Sequence, residues 1–145
     1  STLYKFISIE NQNFSIIPAK TFLNLNVKVL YLDNNNINEI NKNSFESIKS
    51  LKILRLVGNL IHNLEFLIFL SSLTELNLAS NRIEIIKNNV FSKMKNLRRL
   101  NLNTNLINKI ESLGFNNLSN LVYLTLIDNQ LENFSTNLNE QIPNL

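Results

Sequence analysis

The chain contains no cysteine and a single histidine, His62. An ordinary zinc site takes its ligands from several Cys and His residues, so this composition excludes one. Glycine and proline are equally scarce, with two residues each. Because Gly58 and Gly114 lie far apart, the chain has no glycine-rich phosphate loop. The scarcity of both residue types also argues against a turn-rich β-sandwich.

Long apolar runs are absent as well. The longest apolar-rich run, Leu64–Leu70, contains Glu65 and is far shorter than the ~18 residues that a membrane span requires. The segment shows no signal-peptide pattern. We therefore predict no membrane insertion by this segment.

Charge of neither sign dominates. Lys and Arg number 14 and Asp and Glu 11, which gives a net charge of +3 over 145 residues. A nucleic-acid-binding domain usually carries a denser basic stripe, so there is no strong case for nucleic acid as a partner. A hydrophobic fraction of 44% is ample for a core, and the length suits one domain.

Asparagine is abundant, at 29 of 145 residues, and part of it recurs in a pattern. Within residues 73–96, three leucines spaced by three and two are followed by an asparagine three residues on, which fits neither a long helix nor an alternating strand. The full set is Leu73, Leu76, Leu78, Asn81, Ile83, Ile86, Phe91 and Met94. Comparable sets start at positions 4, 27, 51, 97 and 121, at spacings of 22 to 24 residues. A chance match would not hold this register along the whole chain.

This pattern resembles the signature of the leucine-rich repeat superfamily. The ending Phe-x-x-Leu, as in Phe115 and Leu118, resembles the 24-residue class of animal receptor ectodomains, whereas the 22-residue third copy resembles the shorter intracellular type. The resemblance implies an α/β right-handed solenoid, with a curved parallel sheet on its concave side and irregular, short helical or 3-10 arcs on its convex side. In that family the disulfides belong to the end caps, so a solenoid body without cysteine is compatible with an extracellular protein.

The expected organisation is a single domain, residues 1–145, of about six repeats. They lie near residues 4–26, 27–50, 51–72, 73–96, 97–120 and 121–144. Terminal repeats of a solenoid need polar caps, and neither end of the chain has one. Because Leu145 also falls where a seventh copy would begin, we expect a segment of a longer solenoid; a designed or truncated chain is the alternative.

Three rows of residues have structural roles in this prediction. The second and third leucines of each copy point inward, and the phenylalanines Phe22, Phe45, Phe91 and Phe115 form a row toward the convex side. A buried amide must have its hydrogen bonds met. We therefore expect an asparagine ladder in which each side chain bonds backbone groups of its own turn and of the next coil: Asn35, Asn59, Asn81, Asn105 and Asn129. Gln12 holds that place in the first copy and is longer than an asparagine.

The concave face is the predicted binding surface, since the outward residues of the strands lie there. Its candidate contact residues are Tyr31, Lys52, Arg55, Asn77, Arg98, Arg99, Asn101, Tyr123 and Thr125. Tyr and Arg are enriched at protein interfaces. The two pairs most strongly indicated are Tyr31 beside Arg55 and Tyr123 beside Arg99. The alternative is an ordinary solvated sheet face.

The short third copy is a second candidate site. Phe66, Ile68 and Phe69 lie between inward leucines, and an exposed apolar patch there would mark a contact. The alternative, which we favour, is a local rearrangement that buries Phe66 or Phe69.

Three glycosylation sequons occur, at Asn13, Asn117 and Asn133. So many asparagines produce about this number by chance, so the count is not informative. Asn117 lies on the outer arc, where a glycan would leave the concave face open.

The function predicted from these residues is binding without catalysis. No catalytic, metal or cofactor site is indicated; the acids Asp33 and Glu10 line up on neighbouring strands, but a screened surface pair is the simpler interpretation. The resemblance implies an extracellular or cell-surface receptor, adhesion or innate-immune protein that binds protein partners, with a homo- or heterodimer through the solenoid as an option. The alternative is an intracellular (cytoplasmic) scaffold or regulatory subunit, and a recognition domain attached to an enzyme is a third reading.

Overall fold

In a computed structural model, which describes residues 5–132 and 137–145, the chain forms a stack of short parallel strands. The strands are β1 Phe6–Ser8, β2 Ile16–Ile17, β3 Val29–Tyr31, β4 Glu39–Ile40, β5 Ile53–Arg55, β6 Glu75–Asn77, β7 Ile85–Ile86, β8 Arg99–Asn101, β9 Lys109–Ile110 and β10 Tyr123–Thr125. A 3-10 helix spans Glu65–Phe69, and a short helix α1 spans Leu138–Gln141. Six strands form one sheet in the order β1-β3-β5-β6-β8-β10, one strand from each copy. The predicted solenoid is therefore confirmed.

The central residue of each sheet strand points into the core, because successive side chains of a strand face opposite sides. Leu54 pairs with Leu76, and Leu76 with Leu100, so the leucines of neighbouring copies lie directly side by side. Each fully buried leucine contributes about 1.5–3 kcal/mol. A single copy has no second layer to cover its apolar side, so the fold is stable only as a stack.

One residue per copy adopts the left-handed backbone conformation at the turn after the sheet strand. These residues are Asn11, Asn34, Gly58, Ser80, Thr104 and Asp128, with φ between 54° and 67°. Each directly precedes the ninth-place residue of its copy. Asparagine, aspartate and glycine tolerate this conformation best, whereas a β-branched residue is an outlier there. The turn therefore accounts for part of the asparagine content and leaves Thr104 as its strained member.

The ninth-place asparagines form a ladder of hydrogen bonds between coils. In Asn105, Nδ2 donates to the carbonyl of Leu102 in its own turn, at 3.1 Å, and to the carbonyl of Leu78 in the preceding coil, at 3.0 Å. Its Oδ1 accepts from the N–H of Ile83, at 3.0 Å. The same pattern recurs at Asn35, Asn59, Asn81 and Asn129.

The direction expected for this ladder was wrong: each amide reaches back to the preceding coil, not forward to the next. The repeat spacing is the same toward either neighbour, so periodicity alone does not set the direction. At the first copy, Gln12 is exposed and donates from Nε2 to its own neighbour, the carbonyl of Glu10, at 2.9 Å. Its side chain therefore does not continue the ladder.

A second series of strands follows the turn, and it is interrupted at the third copy. Strand β2 pairs with β4, and β7 pairs with β9, all in parallel. Between them the third copy contributes no strand and passes from Ile61 through Leu64 into the 3-10 helix. This copy is the 22-residue one, so it is two residues shorter than the copies on either side.

The phenylalanine row on the arcs includes a member that the sequence-based row omitted. Phe22 and Phe45 stack with ring centres 5.2 Å apart, and the ring of Phe66 lies 5.7 Å from that of Phe45. Phe91 and Phe115 stack at 6.1 Å. Phe66 thus takes the phenylalanine position of the third copy, three residues earlier than the usual spacing.

The apolar patch considered for the third copy is mostly buried. Phe66 is 1% exposed, and Phe69 is half-buried with the ammonium of Lys49 over its ring, 5.1 Å from the ring centre. The rearrangement favoured from the sequence is the one observed. Ile68, at 53% exposure, is the part of the patch that stays in solvent.

Residues 137–145 pack against the arc of the fifth copy. The buried side chain of Gln141 accepts from the N–H of Phe115 and donates to the carbonyl of Ser112, both at 2.9 Å. Ile142 joins the core, whereas Leu145 is exposed. The division into repeats, and the seventh copy expected at Leu145, stay predictions.

Candidate binding face of the six-stranded sheet

The sheet face comprises the solvent-facing side chains of the six-stranded sheet and the residues just before and after each strand. Parallel pairing in register arranges its side chains in two rows across the strands. The first row is Phe6, Val29, Ile53, Glu75, Arg99 and Tyr123, and the second is Ser8, Tyr31, Arg55, Asn77, Asn101 and Thr125. Residues about 24 apart in the sequence therefore become neighbours about 4.8 Å apart.

A cluster of aromatic and charged groups occupies the N-terminal part of this face. The guanidinium carbon of Arg55 lies 4.5 Å from the ring centre of Tyr31, which places the cation over the aromatic face. The rings of Phe6 and Tyr31 pack edge to face, with their centres 5.0 Å apart and their planes perpendicular. The predicted pair Tyr31–Arg55 is thus in contact.

Asp33 anchors this cluster from below. Its carboxylate accepts a hydrogen bond from Arg55 Nη2 through Oδ2, and from the N–H of Val57 through Oδ1, at 2.9 Å. The side chain of Asp33 is 4% exposed, against 40% for Arg55. The buried Nε of Arg55 has no hydrogen-bond partner in the described part of the chain. The guanidinium is therefore held by one carboxylate and one ring, with its outer part open to solvent.

Burial raises the pKa of the Asp33 carboxyl above its ordinary value of 3.8, and the Val57 N–H and Arg55 act in the opposite direction. Burial acts to lower the pKa of Arg55, but the charge and the hydrogen bond of Asp33, together with Tyr31, outweigh burial and raise that pKa. The cation is therefore permanent at any physiological pH.

A second aromatic and arginine pair lies toward the other end of the sheet. The guanidinium carbon of Arg99 is 4.8 Å from the ring centre of Tyr123, so the second predicted pair is also in contact. No carboxylate lies at ion-pair distance from Arg99 in the described ranges. Both residues are exposed, so this pair is held less tightly than the first.

The two pairs open onto the same shallow cavity. It has a volume of about 290 Å³, and Tyr31, Arg55, Arg99 and Tyr123 line its two sides. Glu75 and Asn77 of β6 line the middle of the cavity, together with Ile53 of β5 and Asn101 of β8. The cavity therefore presents two cations and two aromatic rings around one carboxylate and two amides.

Three of the predicted contact residues use their polar groups within the chain. Asn77 Oδ1 accepts from the N–H of Ala79, and Asn101 Oδ1 from that of Asn103, at 3.1 and 3.0 Å. Thr125 is only 9% exposed, and its hydroxyl donates to Asn103 Oδ1 at 2.6 Å. Asn77 and Asn101 keep their amide nitrogens for a ligand, whereas little of Thr125 reaches the face.

The remaining predicted contact residues lie at one edge of the sheet. Lys52 and Arg98 directly precede β5 and β8, and both are exposed. Lys5 and Lys28 occupy the same place before β1 and β3, and backbone hydrogen bonds link Lys5 to Lys28 and Lys28 to Lys52. The sheet face therefore has a basic edge, defined as Lys5, Lys28, Lys52 and Arg98.

Asp33 holds this cluster in place through contacts that the sequence analysis did not predict. It was grouped with Glu10 as an acid pair, but its partner is Arg55. The sequence position of Asp33 could have indicated this contact, because Asp33 lies two residues after Tyr31 and therefore one coil from Arg55, on the same side of the sheet.

Two of the three sequons lie in described residues. Asn13 and Asn117 are both exposed, with left-handed backbones, and Asn36 donates from Nδ2 to Asn13 Oδ1. Asn133 lies outside the described residues.

Two absences concern residues 5–132 and 137–145 of the chain. No three His, Cys, Asp or Glu side chains come together there in a metal-ligating group. No helix there has the length and apolar character required to traverse a bilayer.

Comparison with known proteins places this geometry in context. The family model for the leucine rich repeat matches residues 5–61 and 71–131. The chain superimposes on the crystal structure of a TLR13–ssRNA13 complex with a TM-score of 0.83 and 29% identity, covering 88% of this chain and 18% of that one. An internalin (InlF) from Listeria monocytogenes has a TM-score of 0.62 and 24% identity, covering 75% of this chain and 31% of its own. A search of curated proteins produced no match.

Proposed function

We propose, from the finding that the chain belongs to the leucine-rich repeat family, that it is a non-catalytic recognition segment that binds a protein partner through its sheet face. The segment spans less than a third of the length of the solved proteins that it resembles, so the activity of any whole protein that contains it is part of this proposal.

The observation that carries the proposal is the pair of Arg–Tyr contacts around one cavity. Tyr and Arg dominate the small set of residues that supply most binding energy at protein interfaces. Here Tyr31 and Arg55, on β3 and β5, face Tyr123 and Arg99, on β10 and β8, across the single intervening strand β6. A partner side chain entering the cavity could contact all four.

The fixed position of Arg55 supports the same conclusion. Ordering a long side chain on binding costs about 0.5–1.5 kcal/mol. Asp33 and Tyr31 already hold Arg55, so most of this cost is met in the free protein. Acidic groups on the partner would match the two arginines.

The test is a binding titration after selection from a displayed library of extracellular protein domains. Tyr31→Ala and Tyr123→Ala should each weaken binding by roughly thirtyfold, the equivalent of about 2 kcal/mol at a central interface position. Lys95→Ala is the matched control, because Lys95 is exposed on the outer arc. A selected partner whose affinity falls with Lys95→Ala and not with the tyrosine variants would contradict the sheet-face proposal.

For localisation, we propose the extracellular space or cell surface, on the resemblance to 24-residue receptor repeats. Asn13 and Asn117 are exposed and accessible for modification. Mass spectrometry of the protein from its native source should find N-linked glycan on at least one of them. Unmodified sequons in a cytosolic fraction would support the alternative, an intracellular scaffold or regulatory subunit, which the 22-residue third copy favours.

The basic edge favours a second candidate ligand, a single-stranded nucleic acid. Lys5, Lys28 and Lys52 lie in consecutive copies along one edge of the sheet, and Arg98 follows after Thr74. The TLR13 structure was solved with an ssRNA. A single-stranded RNA oligonucleotide should then bind with a strong salt dependence. Lys52→Glu and Arg98→Glu should each lower the salt slope by about one. The absence of binding at low salt would exclude this candidate.

A further inference from the structure

The interruption of the second strand series leaves two strand edges without partners. Strand β4 is the last member of the pair β2–β4, and β7 is the first member of the pair β7–β9. The third copy lies between them, and its residues His62, Asn63 and Leu64 form no backbone hydrogen bond with either strand. All these residues belong to the described part of the chain.

The unpaired groups are complementary. In the intact pairs, the carbonyls of Ser15 and Ile17 accept from the following copy. The equivalent carbonyls of β4, at Asn38 and Ile40, accept no hydrogen bond within the described chain.

On the facing edge it is the donors that are unpaired. The N–H groups of Glu84, Ile85 and Lys87 donate to no acceptor within the described chain, although their counterparts at Asn38, Glu39 and Asn41 all donate to the first copy. Unpaired carbonyls on the edge of β4 thus face unpaired N–H groups on the edge of β7 across the third copy.

Open space lies between these edges. Two cavities, of about 570 and 820 Å³, are both lined by His62 and Asn63. The larger contacts Asn38, Glu39 and Ile40 on one wall and Arg82 and Glu84 on the other. The smaller continues between Lys42 and Lys87, over Leu64 and Ile68. We name the two cavities together the strand slot.

We propose that the strand slot binds an extended peptide segment of a protein partner, which pairs in parallel with both β4 and β7. Alternate residues of an inserted parallel strand face opposite neighbours, and each residue both donates and accepts on its own side, so a single segment would satisfy the unpaired groups of both edges. The strands are two coils apart, which is about 9.6 Å at the usual spacing of parallel strands and leaves one strand position between them. The inserted strand would join β2–β4 and β7–β9 into one continuous sheet.

The walls of the slot select the sequence of that segment. Lys42 and Lys87 follow the carboxyl ends of β4 and β7, and Lys93 lines the same cavity, with Glu65 as its one carboxylate. A parallel peptide therefore places its C-terminal end among three cations, which favours acidic residues there. The exposed Ile68 and Ile85 offer apolar surface to a β-branched side chain of the peptide that precedes its acidic residues.

The probe is the synthetic peptide acetyl-Thr-Val-Thr-Val-Thr-Asp-Asp-amide, titrated into the whole chain. Amide hydrogen exchange at Ile85 and Lys87 should slow at least about tenfold at saturation, because these N–H groups gain acceptors. The same peptide with alternate backbone nitrogens methylated should bind about tenfold more weakly, since it loses two or more backbone hydrogen bonds. A version ending in Lys-Lys should bind more weakly by a similar factor.

Two variants distinguish β-strand pairing in the strand slot from nonspecific binding of the peptide. Inserting Asn-Lys after Leu64 restores the third copy to 24 residues, so its own chain would fill the slot and peptide binding should be lost. Lys87→Glu retains the slot and should reverse the preference between the acidic and basic peptides. The sheet-face variant Tyr31→Ala should leave peptide binding unchanged. The inference is overturned if the acidic peptide does not bind, if it binds without protecting Ile85 and Lys87, or if the methylated peptide binds as well as the parent.

Discussion

Arg55 lies over the ring of Tyr31, its guanidinium carbon 4.5 Å from the ring centre, because the register of β3 and β5 pairs the two residues directly. The same register sets Asp33 one coil from Arg55, so one residue of the third copy joins an aromatic ring and a buried carboxylate of the second. This contact links two coils on the sheet face itself, where most of the bonding between coils is otherwise made by the backbone.

Replacing Arg55 tests how much that contact stabilises the fold. Arg55→Ala leaves the carboxylate of Asp33 buried with only the Val57 N–H as partner, so the free energy of unfolding should fall by about 1–3 kcal/mol. Chemical denaturation monitored by circular dichroism measures the change.

Arg99→Ala is the matched control for that experiment. It removes a guanidinium from an equivalent ring contact that has no ion pair in the described ranges, and it should cost less than about 1 kcal/mol. Equal losses for the two variants would show that Asp33 contributes nothing through Arg55.

The asparagine ladder predicts a sharp contrast between two asparagines of one copy. Asn105→Ala deletes a buried amide, leaves the N–H of Ile83 without a partner and removes one of the two hydrogen bonds that the carbonyl of Leu78 accepts, which should cost about 1–3 kcal/mol. Asn108 is exposed, and Asn108→Ala should change stability by less than about 0.5 kcal/mol. Urea titration of the two proteins gives the comparison, and similar midpoints would refute the role assigned to the ladder.

The left-handed turn position predicts a substitution that stabilises the fold. Thr104 has a φ of 54°, where a β-branched side chain is unfavourable, so Thr104→Asn should raise the free energy of unfolding by roughly 1 kcal/mol. The reverse change at the equivalent position, Asn34→Thr, should lower it by a similar amount. Thermal and urea unfolding of the two variants measures both effects, and changes of the same sign would be incompatible with backbone strain as their origin.

The raised pKa of Asp33 predicts the pH dependence of stability. A carboxyl whose pKa lies higher in the folded than in the unfolded state binds its proton more tightly when folded. Its contribution to stability is therefore fully present below 3.8 and is lost as the pH rises through the folded-state pKa.

The variant Asp33→Asn isolates that contribution, because the amide keeps an acceptor for Val57 and does not titrate. Relative to this variant, the parent protein should gain stability as the pH falls from neutral toward 3.8. Urea unfolding at a series of pH values measures the difference between the two proteins. A parent that loses stability relative to the variant on acidification would contradict the burial effect.

The fold could be predicted from the sequence because each row of the solenoid is a local pattern repeated at a nearly fixed interval. Once the interval is known, Leu54, Leu76 and Leu100 must lie side by side. The pairs Tyr31–Arg55 and Tyr123–Arg99 follow from the same interval, since position within the repeat determines position on the sheet.

What the interval could not predict depends on side-chain reach and on hydrogen-bond direction. Spacing does not show that the carboxylate of Asp33 reaches Arg55 and not Lys52, or that Thr125 turns its hydroxyl toward Asn103. The loss of a strand in the third copy follows from two missing residues, but only the backbone pairing shows which hydrogen bonds are absent.

The break between β4 and β7 has a mechanical consequence. A solenoid resists extension through the bonds between each coil and its neighbours. The third coil is joined to its neighbours by the six-stranded sheet, the asparagine ladder, the backbone bonds of Leu60 and Arg82 and packed side chains, but by no second strand ladder. The coils before it are joined to each other by two strand ladders, and so are the coils after it. When the chain is pulled along the solenoid axis, it should extend as two stiffer segments joined in series. The contacts at the third coil, which joins those segments, should break first.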